Sequence, residues 1–188
     1  MRPDPEDYGP WAPVMSTLMA MVEDGYTPVP MVEIEYGQGR VIGVMLSTEE
    51  RDLAVAAVFA IAAANGGTVR FGADAYVKEV TKEELVDLIP PSEDPTATNC
   101  LLLTSIVGGE SVYELKVPYA LEDDGSVEWG EADETRGATV EGALITIGRR
   151  VYQEMPQGAV DNPAVENVSM AILQSIGCAV GVLQEGTE

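Results

Sequence analysis

The chain has 188 residues, 46% of them apolar and 22% charged, an ordinary globular balance and long enough for one domain with a real core. Its 32 acidic side chains outnumber 10 basic ones and leave a formal net charge of −22, which argues against direct binding to nucleic acid or to an anionic membrane, since both need basic patches. Histidine is absent, so Ser-His-Asp and Cys-His catalysis and His-ligated metals are excluded, and two isolated cysteines cannot build a Cys-rich zinc site.

Residues 1–12 read as an irregular lead-in punctuated by Pro3, Pro5 and Pro10. They are acidic and hold no apolar run of the kind a signal peptide carries. Residues 14–23 predict a helix, because Met15, Leu18, Met19 and Val22 fall at helical spacing; this stripe is a core face or an adaptable methionine surface. Pro28 and Pro30 end it, and the segments 31–36 and 40–46 read as two strands of a hairpin around Gly37-Gln38-Gly39. Glu33 and Glu35 alternate with Val32, Ile34 and Tyr36, as on a solvated strand face; to hold a metal they would need a third ligand. Ser47-Thr48-Glu49-Glu50 is a capping box that opens a helix over about 48–64, and Asn65-Gly66-Gly67 stops it. From Leu53 onward this alanine-rich helix carries no polar side chain, so it is expected to be buried all round.

The stretch 68–121 supplies the sheet on which the helices pack. In 68–80, Val69, Phe71, Ala73 and Ala75 alternate with Arg70, Gly72, Asp74 and Tyr76, the pattern of a half-buried strand. Thr81-Lys82-Glu83-Glu84 is a second capping box, opening a short helix that Pro90-Pro91 breaks. Cys100, Leu102, Thr104 and Ile106 alternate in the next strand, and Gly108-Gly109 marks a hairpin. Pairing around either a two-residue or a four-residue loop places these four on one core face with Tyr113, Leu115, Val117 and Tyr119. The strand end Ala73-Asp74-Ala75-Tyr76-Val77-Lys78-Glu79-Val80, the loop Pro91-Ser92-Glu93-Asp94-Pro95 and the apolar strand after it resemble uncharacterised small proteins of bacteria and phages. The resemblance covers the middle third of the chain; it implies a compact domain and a virus-encoded origin, and carries no activity to transfer.

The stretch 122–137 is the most acidic. Glu122, Asp123, Asp124, Glu128, Glu131, Asp133 and Glu134 face a single Arg136, in a solvated loop or an edge hairpin with a short strand over 126–129. These seven carboxylates are the candidate partner-binding residues; they lack the D-x-D-x-D-G spacing of a calcium loop. For 138–154, Val140, Leu144, Ile147 and Val151 lie on a helical stripe, with a strand at 143–147 as the rival. Arg149-Arg150 near that helix's end complements its dipole or offers an anion contact. Asp161 or Asn162 caps a last helix with Pro163 in its first turn and an apolar seam of Val165, Val168, Ile172, Ile176, Ala179 and Leu183. Neither Cys100 nor Cys178 has a basic residue beside it, so both are expected to be buried structural thiols in a reducing, cytoplasmic setting.

These patterns predict a single α+β domain, 1–188, with a mainly antiparallel sheet packed by helices. They assign no catalytic residue, no metal and no cofactor. The function they imply is a non-enzymatic acidic accessory or interaction protein, an assembly component or an inhibitor of a partner with a basic surface. The alternatives are a carboxylate and divalent-metal enzyme acting on a small substrate, and a charge that only keeps the protein soluble in a high-salt cytoplasm.

Overall fold

The computed structural model describes residues 2–37, 39–77, 97–137 and 143–184. Its centre is one antiparallel sheet in the order β6-β5-β4-β3-β1-β2-β8, formed by β1 (Met31–Tyr36), β2 (Arg40–Met45), β3 (Thr68–Val77), β4 (Thr98–Val107), β5 (Glu110–Leu121), β6 (Val127–Trp129) and β8 (Ala179–Gln184). The short β7 (Asp133–Arg136) pairs with β5 beside β6. The architecture is α+β, as the patterning predicts. Residues 78–80 of the predicted strand, the second capping box, the helix expected after it and the segment 91–95 lie outside the described residues, as do 138–142.

Three helices cover one face: α2 (Arg51–Asn65), α3 (Ala143–Glu154) and α4 (Pro163–Ser175). The alanine-rich α2 is the middle one and buries Val55, Val58, Phe59 and Ile61 against Val32, Ile34, Ile42, Val44 and Val69. It starts later than its capping box implies, because Ser47 turns away to bond the Gly177 carbonyl at 3.4 Å and Thr48 accepts from the Glu50 N–H at 3.1 Å. Leu53 is exposed, and Ala56, Ala60 and Ala63 along the same side are only partly buried, so the helix is not buried all round as its composition implies. The segment from 143 to 154 is a helix and not a strand, and Gly148 on it receives the Phe59 ring, 2.8 Å from where a Cβ would stand.

On the other face α1 (Ala12–Glu23) crosses β3 and β4, burying Val14, Met15, Leu18, Met19 and Val22 against Leu101, Leu103, Leu115 and Val117. The methionine stripe is therefore core. The close approach needs Gly72, where a Cβ would stand 2.6 Å from Val14 and 2.9 Å from Leu18. Residues 5–11 are not irregular. They wind into two short 3-10 turns separated by a kink at Gly9 (φ 54°, ψ −117°), the first capped by Asp4, whose Oδ1 accepts from the Glu6 N–H at 3.0 Å.

Two further expectations, on strand register and on the C-terminal seam, are corrected. The Gly108-Gly109 hairpin forms, with φ of 61° and 81°, and starts in the anticipated register with Val107 opposite Glu110 and Ile106 opposite Ser111. A β-bulge then intervenes, and Ser105 faces Tyr113. One extra residue on β5 inverts the parity of everything after it. Tyr113, Leu115, Val117 and Tyr119 thus share the α1 face with Leu101 and Leu103, while Cys100, Leu102 and Thr104 point to the opposite face with Glu114 and Lys116. The second correction is at the C-terminal seam. Asn162 caps α4, accepting from the Ala164 N–H at 3.0 Å, but the helix ends at Ser175, and Gly177 (φ 87°) redirects the chain into β8. Ala179 and Leu183 are strand residues, and Cys178 is buried in the turn before them.

Candidate functional site

The bulge helps to shape a cleft on the α1 side of the sheet. By bringing Tyr113 onto the α1 face it completes a cross-strand row of Glu33 (β1), Arg70 (β3), Ser105 (β4), Tyr113 (β5) and Arg136 (β7). The 3-10 turns lie over the end of this row and leave a cleft of about 540 Å³, with Arg70 and Ser105 in its floor and Asp7, Tyr8, Glu134 and Arg136 around it. Trp11 forms the inner wall; its ring stacks on Tyr113 with centroids 5.8 Å apart and planes 24° from parallel.

The charges here are mostly spoken for. Arg70 bonds to Glu35 and lies 3.9 Å from Glu33, and Arg136 bonds to Glu134 at 2.7 Å. Glu33 is therefore not on a solvated face as its alternation implies. It is mostly buried, and burial pushes its carboxyl above the usual carboxylate range despite the opposing pull of Arg70. Both phenols at the cleft are raised as well. Burial is the main cause at each; Asp7 and Glu134 add to it at Tyr8, and Glu134 adds to it at Tyr113. Only the carboxylate share of these shifts favours an incoming cation; the larger share, burial, penalises a charge of either sign, and Arg136 opposes Glu134 at Tyr113.

The seven predicted acidic residues are all exposed, but they do not converge on one pocket. β6 and β7 run consecutively along the outer side of β5 and form one margin of the sheet. Glu122, Asp123 and Asp124 occupy the tip of the β5–β6 turn, where Asp124 accepts from the Ser126 N–H at 2.9 Å. Glu122 and Glu128 border another depression, of about 580 Å³, with Arg2, Glu23 and Trp129. Glu131 follows in the connection, Asp133 lies opposite Lys116, and Glu134 reaches the aromatic cleft. Tyr8, Trp11, Tyr113 and Arg70 escape sequence reasoning. The one local signal is Tyr8 and Trp11 three residues apart around Gly9-Pro10. Of the pair Arg149-Arg150, Arg149 grips Glu110 through Nε and Nη2, and Arg150 pairs with Glu154 at 3.0 Å, so both are engaged within the chain.

Among the described residues no group of three or more Cys, Asp or Glu is placed to hold a metal ion, and no helix is long and apolar enough to cross a membrane. Cys100 and Cys178 are free and buried, and burial pushes the Cys100 thiol up to about 11 and the Cys178 thiol above its ordinary value. Iodoacetamide at about pH 8 should therefore label neither cysteine in the folded protein and both in denaturant, as mass spectrometry would show. Comparison with protein-family models, with curated proteins and with solved structures finds no match to this chain.

Proposed function

We propose that this is a non-enzymatic acidic accessory protein of the cytoplasm, an assembly component or inhibitor that meets a partner's basic surface, and that, in line with the resemblance of its middle third, it is virus-encoded. The observation that carries the reading is the continuity of the acidic margin with the aromatic cleft through Glu134. A basic surface would lie along Glu122, Asp123, Asp124, Glu128, Glu131 and Asp133, and one of its Lys or Arg side chains would enter between Tyr8 and Tyr113. There an aromatic face and the Asp7 and Glu134 carboxylates would both favour a cation.

The reading predicts a localised charge effect. Binding of an oligo-arginine peptide, followed by calorimetry across a salt series, should weaken steeply as salt screens the field. Neutralising Glu128, Glu131 and Asp133 together should weaken it about tenfold, roughly 1.4 kcal/mol. Neutralising Glu49, Glu50 and Asp52, three exposed acids at the start of α2, should have much less effect. Equal losses from the two triple variants would mean that only the net charge is felt, and would overturn the interface.

A further inference from the structure

The two margins of the sheet are opposites. The β6–β7 margin is fringed with Glu128, Glu131, Asp133 and Glu134, and charge on an edge strand is a standard way to prevent pairing with another sheet. The other margin is β8, with the sequence Ala-Val-Gly-Val-Leu-Gln. It holds no charge and no proline, and its six residues pair with β2 in unbroken register, without a bulge. Among the described residues no strand pairs with its outer side.

The surroundings of β8 are equally bare. Residues 163–184 contain a single charged side chain, Glu166, in a chain where 22% of residues are charged. Glu166 is itself engaged, accepting from Arg40 at 2.5 Å and from the Tyr36 hydroxyl at 2.6 Å. Apolar side chains are exposed here instead: Val168 on α4 at 59%, and Val182 and Leu183 on β8 at 46% and 73%. In a molecule of net charge −22, the strand and helix up to Gln184 carry little charge to repel a second copy or to attract a basic partner, although Glu185 and Glu188 follow in the sequence.

We propose that the β8 edge and the exposed side of α4 form a symmetric interface at which two copies of this chain associate. A two-fold axis perpendicular to the sheet sets β8 antiparallel to its copy and joins the two sheets into one. Main-chain hydrogen bonds between the edges supply the attraction, as in strand addition generally. The same axis places both α4 helices on one side of the joined sheet, where the exposed Ala164, Val168 and Ala171 of one meet those of the other. The acidic margins are left at the two far ends, free for a basic partner.

Sedimentation equilibrium of the full chain tests this. At moderate salt the mass should climb from 20.0 kDa toward twice that value over a hundredfold rise in protein concentration. Leu183→Lys, which puts a charge on the edge, and Val168→Glu on α4 should each weaken association at least tenfold. Both sites are exposed, so circular dichroism and melting should be unchanged. Glu128→Lys on the opposite margin should leave the dimer intact. Added salt should strengthen self-association by screening residual repulsion, the reverse of its effect on a basic partner, so this proposal and the acidic interface fail independently. A 20.0 kDa species at every concentration, or a dimer indifferent to Leu183→Lys and Val168→Glu, would overturn it.

Discussion

Leu115→Asp is expected to abolish the cooperative unfolding transition of the protein, while Glu114→Ala, one residue away, costs about 1–3 kcal/mol. Leu115 is fully buried between Leu103 and Val117 under Met15 and Leu18 of α1. Removing such a leucine costs about 2–5 kcal/mol through lost apolar burial and the cavity left behind. Placing a carboxylate there adds a desolvation cost of several more, and no described cation belongs to that cluster. Against a total stability of about 5–15 kcal/mol, the sum leaves little or no folded state. Glu114 points to the opposite face, where it is itself buried but pairs at 2.9 Å with the partly exposed Lys116, so its removal forfeits one ion pair and leaves a cation that solvent can reach. Thermal melts followed by circular dichroism separate the two; transitions within a few degrees of each other would contradict the assignment of β5 to its faces.

The contrast between these neighbours marks what local pattern can reveal. The alternation within β5 is legible in the sequence, because period two reports which residues share a side. Which side of β4 they join is not, because the bulge near Val112 adds one residue with no signature of glycine or proline. The helices α1 and α2 are legible from spacing and from the glycines that stop α2. The C-terminal seam misleads for a physical reason: Ile176, Ala179 and Leu183 keep helical spacing, yet Ala-Val-Gly-Val-Leu also suits a strand. The choice is made by the free edge of β2, a partner more than a hundred residues away. The site is half legible in the same sense. Its carboxylates stand out as a run, but the cleft needs strand order. Only when β1 lies between β2 and β3 does Arg70 come beside Glu33, and only after the bulge does Tyr113 join their row.

That row yields the second large effect. Arg70→Met is expected to cost about 3 kcal/mol near neutral pH, because breaking a largely buried ion pair from one side leaves the other charge uncompensated. Arg70 and Glu33 are only 12% and 14% exposed, so solvent does little to replace the lost partner. The loss should shrink on acidification. Burial already holds the Glu33 carboxyl above its ordinary value of 4.5, with Arg70 pulling it down and Glu35 pushing it up. Without Arg70 only the upward influences remain, and the folded-state value rises further. A carboxyl whose folded value exceeds its unfolded one binds a proton more readily when folded; its contribution is fully present below the unfolded value and is lost as pH rises through the folded one. Urea titrations at about pH 7 and about pH 5 should therefore show the gap between Arg70→Met and the parent narrowing at the lower pH. Adding Glu33→Gln to Arg70→Met should recover part of the loss at pH near 7, since it removes the stranded charge. A gap that widens with acid, or a double variant no more stable than Arg70→Met, would show that Arg70 holds the sheet by packing alone and that the floor of the cleft carries no electrostatic strain.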